Sequence, residues 1–261
     1  MKRNVLNLLF MVLLVLSLVF TGNALAGDKN TRLTTLEWPP YISQNIDSPG
    51  YLAEVVKGAF SEVGYSNANF IFLEWTEAVR LAQAGKADAS FPEYFSTDRE
   101  KDFEFSDAMP GGALALAKLK GSNVTYTGQV QDLKPYKLGV VAGYINTEAI
   151  DSADFITKVE SEDDSVNLKN LIAKKVDVIV IDRLVADMLL QGTFFSRFAD
   201  KVDFLEPILE VKPLFLAFSK NSPNMPGVKE DFNKGLSALN ASGKLDAILK
   251  KYGLEGKVGT E

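Results

Sequence analysis

One nine-residue pattern occurs twice in the 261-residue chain, and it restricts the fold more than composition does. Leu81-Ala82-Gln83-Ala84-Gly85-Lys86-Ala87-Asp88-Ala89 is similar to Asn170-Leu171-Ile172-Ala173-Lys174-Lys175-Val176-Asp177-Val178. In each copy a helix ends on small or basic residues and a strand starts with Asp. Helix-to-strand junctions share composition, so one such match is weak, but here the order of the surrounding elements also agrees. Residues 31–38 read as a strand that stops at Pro39-Pro40, where the ladder cannot continue. Leu52, Val55, Val56, Ala59, Phe60 and Val63 recur at three-and-four spacing, which predicts a helix over 50–63. Residues 69–73 read as a short strand, 76–84 as a helix stopped by Gly85, and 87–91 and 113–119 as strands. The second half repeats the order: strand 137–142, a turn at Gly143, helix 166–173, buried strand 176–181 and helix 183–191. Strand 214–218 and helices 227–240 and 244–250 complete the chain. This alternation predicts an α/β protein with partly parallel sheets, built as two similar lobes.

Residues 1–26 read as an export address. Lys2 and Arg3 precede an apolar run over 5–20 broken only by Asn7 and Ser17, and Ala24-Leu25-Ala26 follows. Basic, apolar, then A-x-A is the layout of a cleaved secretory signal peptide. A membrane span needs about 20 apolar residues, and this run is shorter and closes on a cleavage site. The chain has no Cys, so the lipid anchor of a bacterial lipoprotein has no attachment point. A soluble protein exported across one membrane is expected, and by the resemblance given below its destination is the periplasm. Loss of Lys2 and Arg3 takes its net charge from −6 to −8.

The same composition closes off much chemistry. Without Cys there are no thiol nucleophiles, thiolate metal sites or disulfides. Without His the commonest metal ligand and the usual triad base are missing. No metal and no cofactor is predicted. With 28 Lys+Arg against 34 Asp+Glu, the chain lacks the basic surplus of a nucleic-acid binder. Binding of a small molecule becomes the leading expectation.

Six segments in order carry a family resemblance: Trp38-Pro39-Pro40-Tyr41; Trp75 with Gly85-Lys86-Ala87-Asp88-Ala89; Ser96-Thr97-Asp98-Arg99 with Phe105-Ser106-Asp107; Leu138-Gly139-Val140-Val141-Ala142-Gly143; Val176 through Asp182; and Phe232-Asn233-Lys234-Gly235-Leu236 through Lys251-Tyr252-Gly253. Together they resemble the periplasmic solute-binding proteins of ABC importers, family 3, of the polar amino-acid receptor type. The resemblance implies a two-lobe, type II periplasmic-binding-protein fold of the Venus-flytrap kind with two hinge crossings. Lobe 1 is then 27–110 plus 213–261, lobe 2 is 111–206, and the hinges fall near 109–112 and 207–212. It also implies a small amino-acid-like ligand, a membrane permease as partner, and a monomer.

Arg99 is the first candidate site residue, because a guanidinium fork matches a carboxylate's two oxygens. The resemblance makes it the clamp for a ligand α-carboxylate; the alternative is a surface pair with Asp98, Glu100 or Asp102. Asp182 follows a buried-looking strand, at the end where ligands of open α/β sheets gather. By resemblance it takes the ligand ammonium, although it also suits the cap of the helix that starts at Arg183. Asp187 reads as a solvated helix residue. Trp38 and Trp75, the only tryptophans, fall where the family places aromatic walls; core packing is their other reading. Tyr94, Tyr144 and Arg80 are weaker candidates.

Three departures from the family pattern bear on specificity. The segment 89–96 is one residue short and offers Pro92, Glu93 and Tyr94 in place of small hydroxyl residues, with Glu93 a candidate cation partner. Gly143 is followed by Tyr144-Ile145-Asn146 instead of a Ser-Thr pair, leaving backbone amides to meet a carboxylate. Thr35 stands where some basic-amino-acid receptors carry an acid, so Lys or Arg specificity is not supported there. Two other readings fit a chain of this kind. One is an exported enzyme on the same fold, similar to a cyclohexadienyl dehydratase, with Glu93 or Glu74 as general acid; no paired-carboxylate spacing supports it. The other is a ligand sensor that signals through a membrane partner.

Overall fold

Parallel strands must be joined by crossovers long enough to return the chain to the same sheet edge, and helices do this here twice over. The computed structural model describes residues 29–45 and 48–260, so the signal peptide expected over 1–26 lies outside the described residues. The first sheet contains β1 (Lys29–Thr35), β2 (Tyr65–Phe72), β3 (Ala89–Glu93), β4 (Phe103–Phe105) and β11 (Phe215–Ser219), in the order β2-β1-β3-β11-β4. β1 runs parallel to β2 and β3, and β11 runs antiparallel to β3 and β4. Helices α1 (Tyr51–Glu62) and α2 (Trp75–Gln83) make the crossovers. The buried side of α1 comprises Tyr51, Leu52, Ala53, Val55, Val56, Ala59 and Phe60, the apolar stripe its spacing predicts.

The second sheet contains β5 (Ala113–Leu119), β6 (Lys137–Val141), β7 (Thr157–Ser161), β8 (Val178–Asp182), β9 (Val202–Phe204) and β10 (Glu210–Val211). Its order is β10-β5-β8-β6-β7, with β9 also on β5. β6 is parallel to β7 and β8, while β5 is antiparallel to β8. Helices α3 (Glu148–Asp151), α4 (Asp164–Ile172) and α5 (Arg183–Gln191) belong to this lobe. Near the end of the chain, α6 (Gly227–Ala241) packs on α1, and α7 (Lys244–Lys251) follows. The result is a bilobed α/β fold whose two sheets are connected by crossing strands.

Two connections join the sheets side by side. Met109 N–H donates to Leu214 O at 2.8 Å, Leu214 N–H to Met109 O at 3.0 Å, and Lys212 N–H to Gly112 O at 2.8 Å. A side chain at Gly111 has no room, since its Cβ would stand 1.9 Å from Lys212 O. Because β10 pairs with β5, the second connection runs through 212–214, a few residues beyond the expected 207–212.

Elements differ from expectation where burial overrides pattern. β1 ends at Thr35, and Trp38 instead forms a bridge with Ile42 inside a turn. β2 begins at Tyr65, four residues earlier than predicted, because this sheet-edge strand is only partly buried and carries Ser66, Asn67 and Asn69. β3 starts at Ala89 instead of residue 87. Short β4, β7, β9 and β10, and the single-turn α3, have too little apolar periodicity to be read from sequence.

The duplicated junction is reproduced bond for bond. In the first copy Lys86 N–H donates to Leu81 O and Gly85 N–H to Ala82 O; in the second, Lys175 N–H donates to Asn170 O and Lys174 N–H to Leu171 O. Asp88 N–H then donates to Arg32 O while its carboxylate accepts from Arg32 N–H at 2.9 Å. Asp177 repeats this with Lys137, whose N–H reaches the carboxylate at 2.8 Å. Gly85 has φ +70°, the left-handed geometry that closes such a helix end, and Lys174 holds φ +57° in its place. A non-glycine residue there costs about 1–2 kcal/mol, partly offset by the greater chain entropy of glycine. Lys174→Gly is therefore expected to raise stability by about 0.5–1 kcal/mol in urea denaturation. Gly85→Ala should lower it, since the added Cβ meets Asn221 O at 2.4 Å.

Candidate functional site

The strand ends of the two lobes face each other, and three acids are buried between them. Asp182 ends β8 and caps α5: one carboxylate oxygen accepts from Leu184 N–H at 2.9 Å and Val185 N–H at 3.1 Å. Its other oxygen accepts from Tyr41 Oη at 2.7 Å and Tyr94 Oη at 3.4 Å, both from the first lobe. The helix-cap reading of this residue holds, and the same carboxylate faces the first lobe. Asp164 starts α4 while Asp163 does the capping, which leaves the Asp164 carboxylate free to face the cleft. It accepts from Trp38 Nε1 at 2.9 Å and from Tyr144 Oη at 3.2 Å. Glu93, at the end of β3, is 1 % exposed.

Burial is the main perturbation on all three acids. It pushes Asp164 up to about 7 against the hydrogen bonds from Trp38 and Tyr144. It pushes Asp182 up to about 6 against its tyrosine and helix-terminus donors. Glu93 is pushed up to about 7 by burial, with the Arg99 charge opposing.

Arg99 lies in a short 3₁₀ turn, Arg99–Lys101, and its guanidinium is already engaged. Nη1 stands 2.9 Å from Glu93 Oε1, and Nη2 donates to Gly143 O at 2.8 Å across the lobe boundary. Asp98, Glu100 and Asp102 are not its partners, so the surface-pair reading fails. Gly143 O also accepts from Trp75 Nε1 at 3.2 Å. Five side chains of the first lobe thus donate to three residues of the second.

Two small cavities lie in this region. One, of about 20 Å³, is lined by Leu36, Trp38, Trp75, Pro92, Glu93, Tyr94, Tyr144, Ile145 and Leu214. The other, of about 10 Å³, is bounded by Trp38, Tyr94, Tyr144 and Ile145 again, with Asp164 and Asp182. Trp38 stacks on Tyr41 at 4.3 Å and meets Tyr94 and Tyr144 edge-on at 6.0 and 6.3 Å. Of the sequence candidates, Trp38, Trp75, Glu93, Tyr94, Tyr144, Ile145 and Asp182 come together at the cavity walls. Arg99 stands behind Glu93 and lines neither cavity. Arg80 pairs with Glu77 on the exposed face of α2, away from the cleft. Glu74 is an exposed cap of the same helix. The amide at Asn146 bonds the Asp151 carboxylate. Sequence reasoning missed Asp164 and Tyr41; the only signal for Asp164 was its place behind a capping Asp. Among the described residues no group of three or more acids is placed to hold a metal ion.

The sequence pattern of the bacterial extracellular solute-binding proteins, family 3, matches residues 33–255. The chain belongs to this family. The solute-binding protein is 25 % identical over 243 residues to a "Probable histidine-binding protein" of Campylobacter jejuni subsp. jejuni, covering 90 % of this chain and 91 % of that one. Its fold is similar to that of an ancestral arginine-binding protein bound to arginine, with TM-score 0.73, 20 % identity, and 86 % and 99 % of the two chains covered. It is also similar to the GluR0 ligand-binding core from Nostoc punctiforme in complex with L-glutamate, with TM-score 0.70, 18 % identity and coverage of 85 % and 98 %. Membership makes this solute-binding protein a receptor and not a catalyst.

The buried acids give it an unusual pH response. A carboxyl whose folded pKa lies above its unfolded value stabilises the fold in its protonated form, below about pH 4. That contribution is lost as pH rises through about 6 for Asp182 and about 7 for Glu93 and Asp164. The ligand-free protein is therefore expected to melt lower at pH 8 than at pH 5, by about 2–4 °C for each kcal/mol lost. Asp164→Asn keeps an acceptor for Trp38 but cannot ionise, and should flatten this slope in calorimetry. A melting temperature that rises from pH 5 to pH 8 would contradict the burial of these charges.

Proposed function

We propose that this protein is the periplasmic receptor of an ABC importer, closing two lobes on a small amino-acid-like solute and delivering it to a membrane permease. The observation that carries the reading is the pair of small cavities whose walls come from both lobes: Trp38, Trp75, Glu93 and Tyr94 from one, Tyr144, Ile145, Asp164 and Asp182 from the other. Binding between lobes makes capture and closure one event, because a ligand there contributes contacts to both only when they meet. At about 20 and 10 Å³ the two cavities have room for little more than a water each, so in this reading the lobes must part to admit a solute.

In this reading the lobes are 27–110 plus 213–261 and 111–206, the fold is of type II, and the paired connections at 109–112 and 212–214 are its hinges. The chain is exported by residues 1–26, cleaved after Ala26, and works as a monomer. The names of the similar proteins, which bind histidine, arginine or glutamate, support an amino-acid-like ligand class.

Both tryptophans stand at the cavity walls, so ligand entry should change the intrinsic fluorescence of the whole protein. Titration with amino acids and their amine analogues should produce a saturable change with a matching rise in melting temperature. A ligand at 100 times its Kd adds about 2.7 kcal/mol of stability. Trp38→Ala should weaken any such ligand at least about tenfold by removing one wall and the Asp164 donor. A folded protein that responds to no compound of either class would refute the receptor reading.

A further inference from the structure

We propose that the solute this receptor takes is a small organic cation with no free carboxylate: the amine counterpart of an amino acid instead of the amino acid itself. The inference rests on the receptor reading and names the ligand class of the same site.

Charge at the cavity walls carries the argument. The ionisable lining of the two cavities, tyrosines aside, is Glu93, Asp164 and Asp182, and every one is an acid. The nearest cations are spoken for. Arg99 is placed against Glu93 at 2.9 Å and bound to Gly143 O, so a ligand carboxylate would have to displace a carboxylate that the chain itself supplies. Lys212, 7 % exposed, sits over the Tyr94 ring at 5.2 Å and 3.5 Å from Glu210, and lines neither cavity. Glu93 Oε1 is fully buried and, despite its closeness to Arg99, lacks a hydrogen bond of good geometry. Glu93 lines the larger cavity while this oxygen is turned to Arg99, so the residue brings an acid and no free cation to the wall.

The remaining walls suit the same partner. Trp38, Trp75, Tyr94 and Tyr144 present four aromatic side chains to the larger cavity. Ring faces attract ammonium and guanidinium groups, most strongly where water is excluded. A carboxylate among these rings would meet three acids and no available cation, with its desolvation uncompensated.

Matched pairs test the idea on the full mature protein by isothermal titration calorimetry: histamine with L-histidine, agmatine with L-arginine, cadaverine with L-lysine. At least one amine should bind about tenfold or more tightly than its parent amino acid. Its affinity should also rise between about pH 5.5 and pH 8, as the facing acids ionise. The charged and titratable groups facing them are Arg99 at Glu93; Asp163, Asp182, Tyr94 and Tyr144 at Asp164; and Asp164, Tyr41, Tyr51 and Tyr94 at Asp182. An amino acid that must displace Glu93 from Arg99 shows the opposite trend. Glu93→Gln frees the guanidinium and should move the preference toward the amino acid by about tenfold. Tighter binding of an amino acid than of its amine in every responsive pair overturns this inference and leaves the receptor reading standing. Silence of all six compounds with the protein folded overturns both. The wild-type comparison decides even where Glu93→Gln fails to fold.

Discussion

A carboxylate taken out of water is costly unless donors or a cation meet it, and this fold buries three of them where its lobes touch. Their partners determine how the lobes sit. Trp38 and Tyr144 meet Asp164, Tyr41 and Tyr94 meet Asp182, and Arg99 meets Glu93. Trp38, Tyr41 and Tyr94 of the first lobe donate to Asp164 and Asp182 of the second, so contact between the lobes satisfies these two acids, while Glu93 is met by Arg99 of its own lobe. Lobe contact and charge compensation are one constraint. The aromatic side chains serve it twice, as apolar walls and, through Trp Nε1 and Tyr Oη, as the donors that a buried acid requires.

Much of the architecture was legible because helices and parallel strands impose periods on sequence. The repeated junction is the clearest case: Asp88 and Asp177, placed at matching positions by the pattern, make the same two backbone bonds in their lobes. Strand β2 was half hidden because an edge strand tolerates Asn and Ser, which lowers its apolar signal. Trp38 read as the end of a strand, yet it turns inward because Pro39-Pro40 and the bridge to Ile42 take the chain out of the sheet.

The site was legible by residue type and only partly by partner. Aromatic and acidic side chains at strand ends were found, since strand ends are where an open α/β sheet leaves space. Asp164 escaped because Glu162-Asp163-Asp164 has the composition of a solvated charge run, and only the helix geometry assigns one Asp to capping and the next to the cleft. Arg99 was read as a ligand clamp although Glu93 stands six residues earlier in the chain. Sequence distance could not show that the end of β3 and the following 3₁₀ turn bring the two together. The choice of partner is a tertiary fact that spacing in the sequence does not carry.

The crossing between the sheets is backbone lying directly on backbone, with the cleft's acid immediately above it. A Cβ added to Gly112 would stand 2.2 Å from Tyr41 Oη and 2.7 Å from an Asp182 carboxylate oxygen. The smallest possible side chain at that position would therefore act as a wedge under the strongest tyrosine–aspartate contact of the cleft. It would prop the two halves apart while leaving every wall of both cavities chemically intact. The absence of a side chain at one glycine, and not any group that lines a cavity, is what leaves room for Tyr41 to reach Asp182.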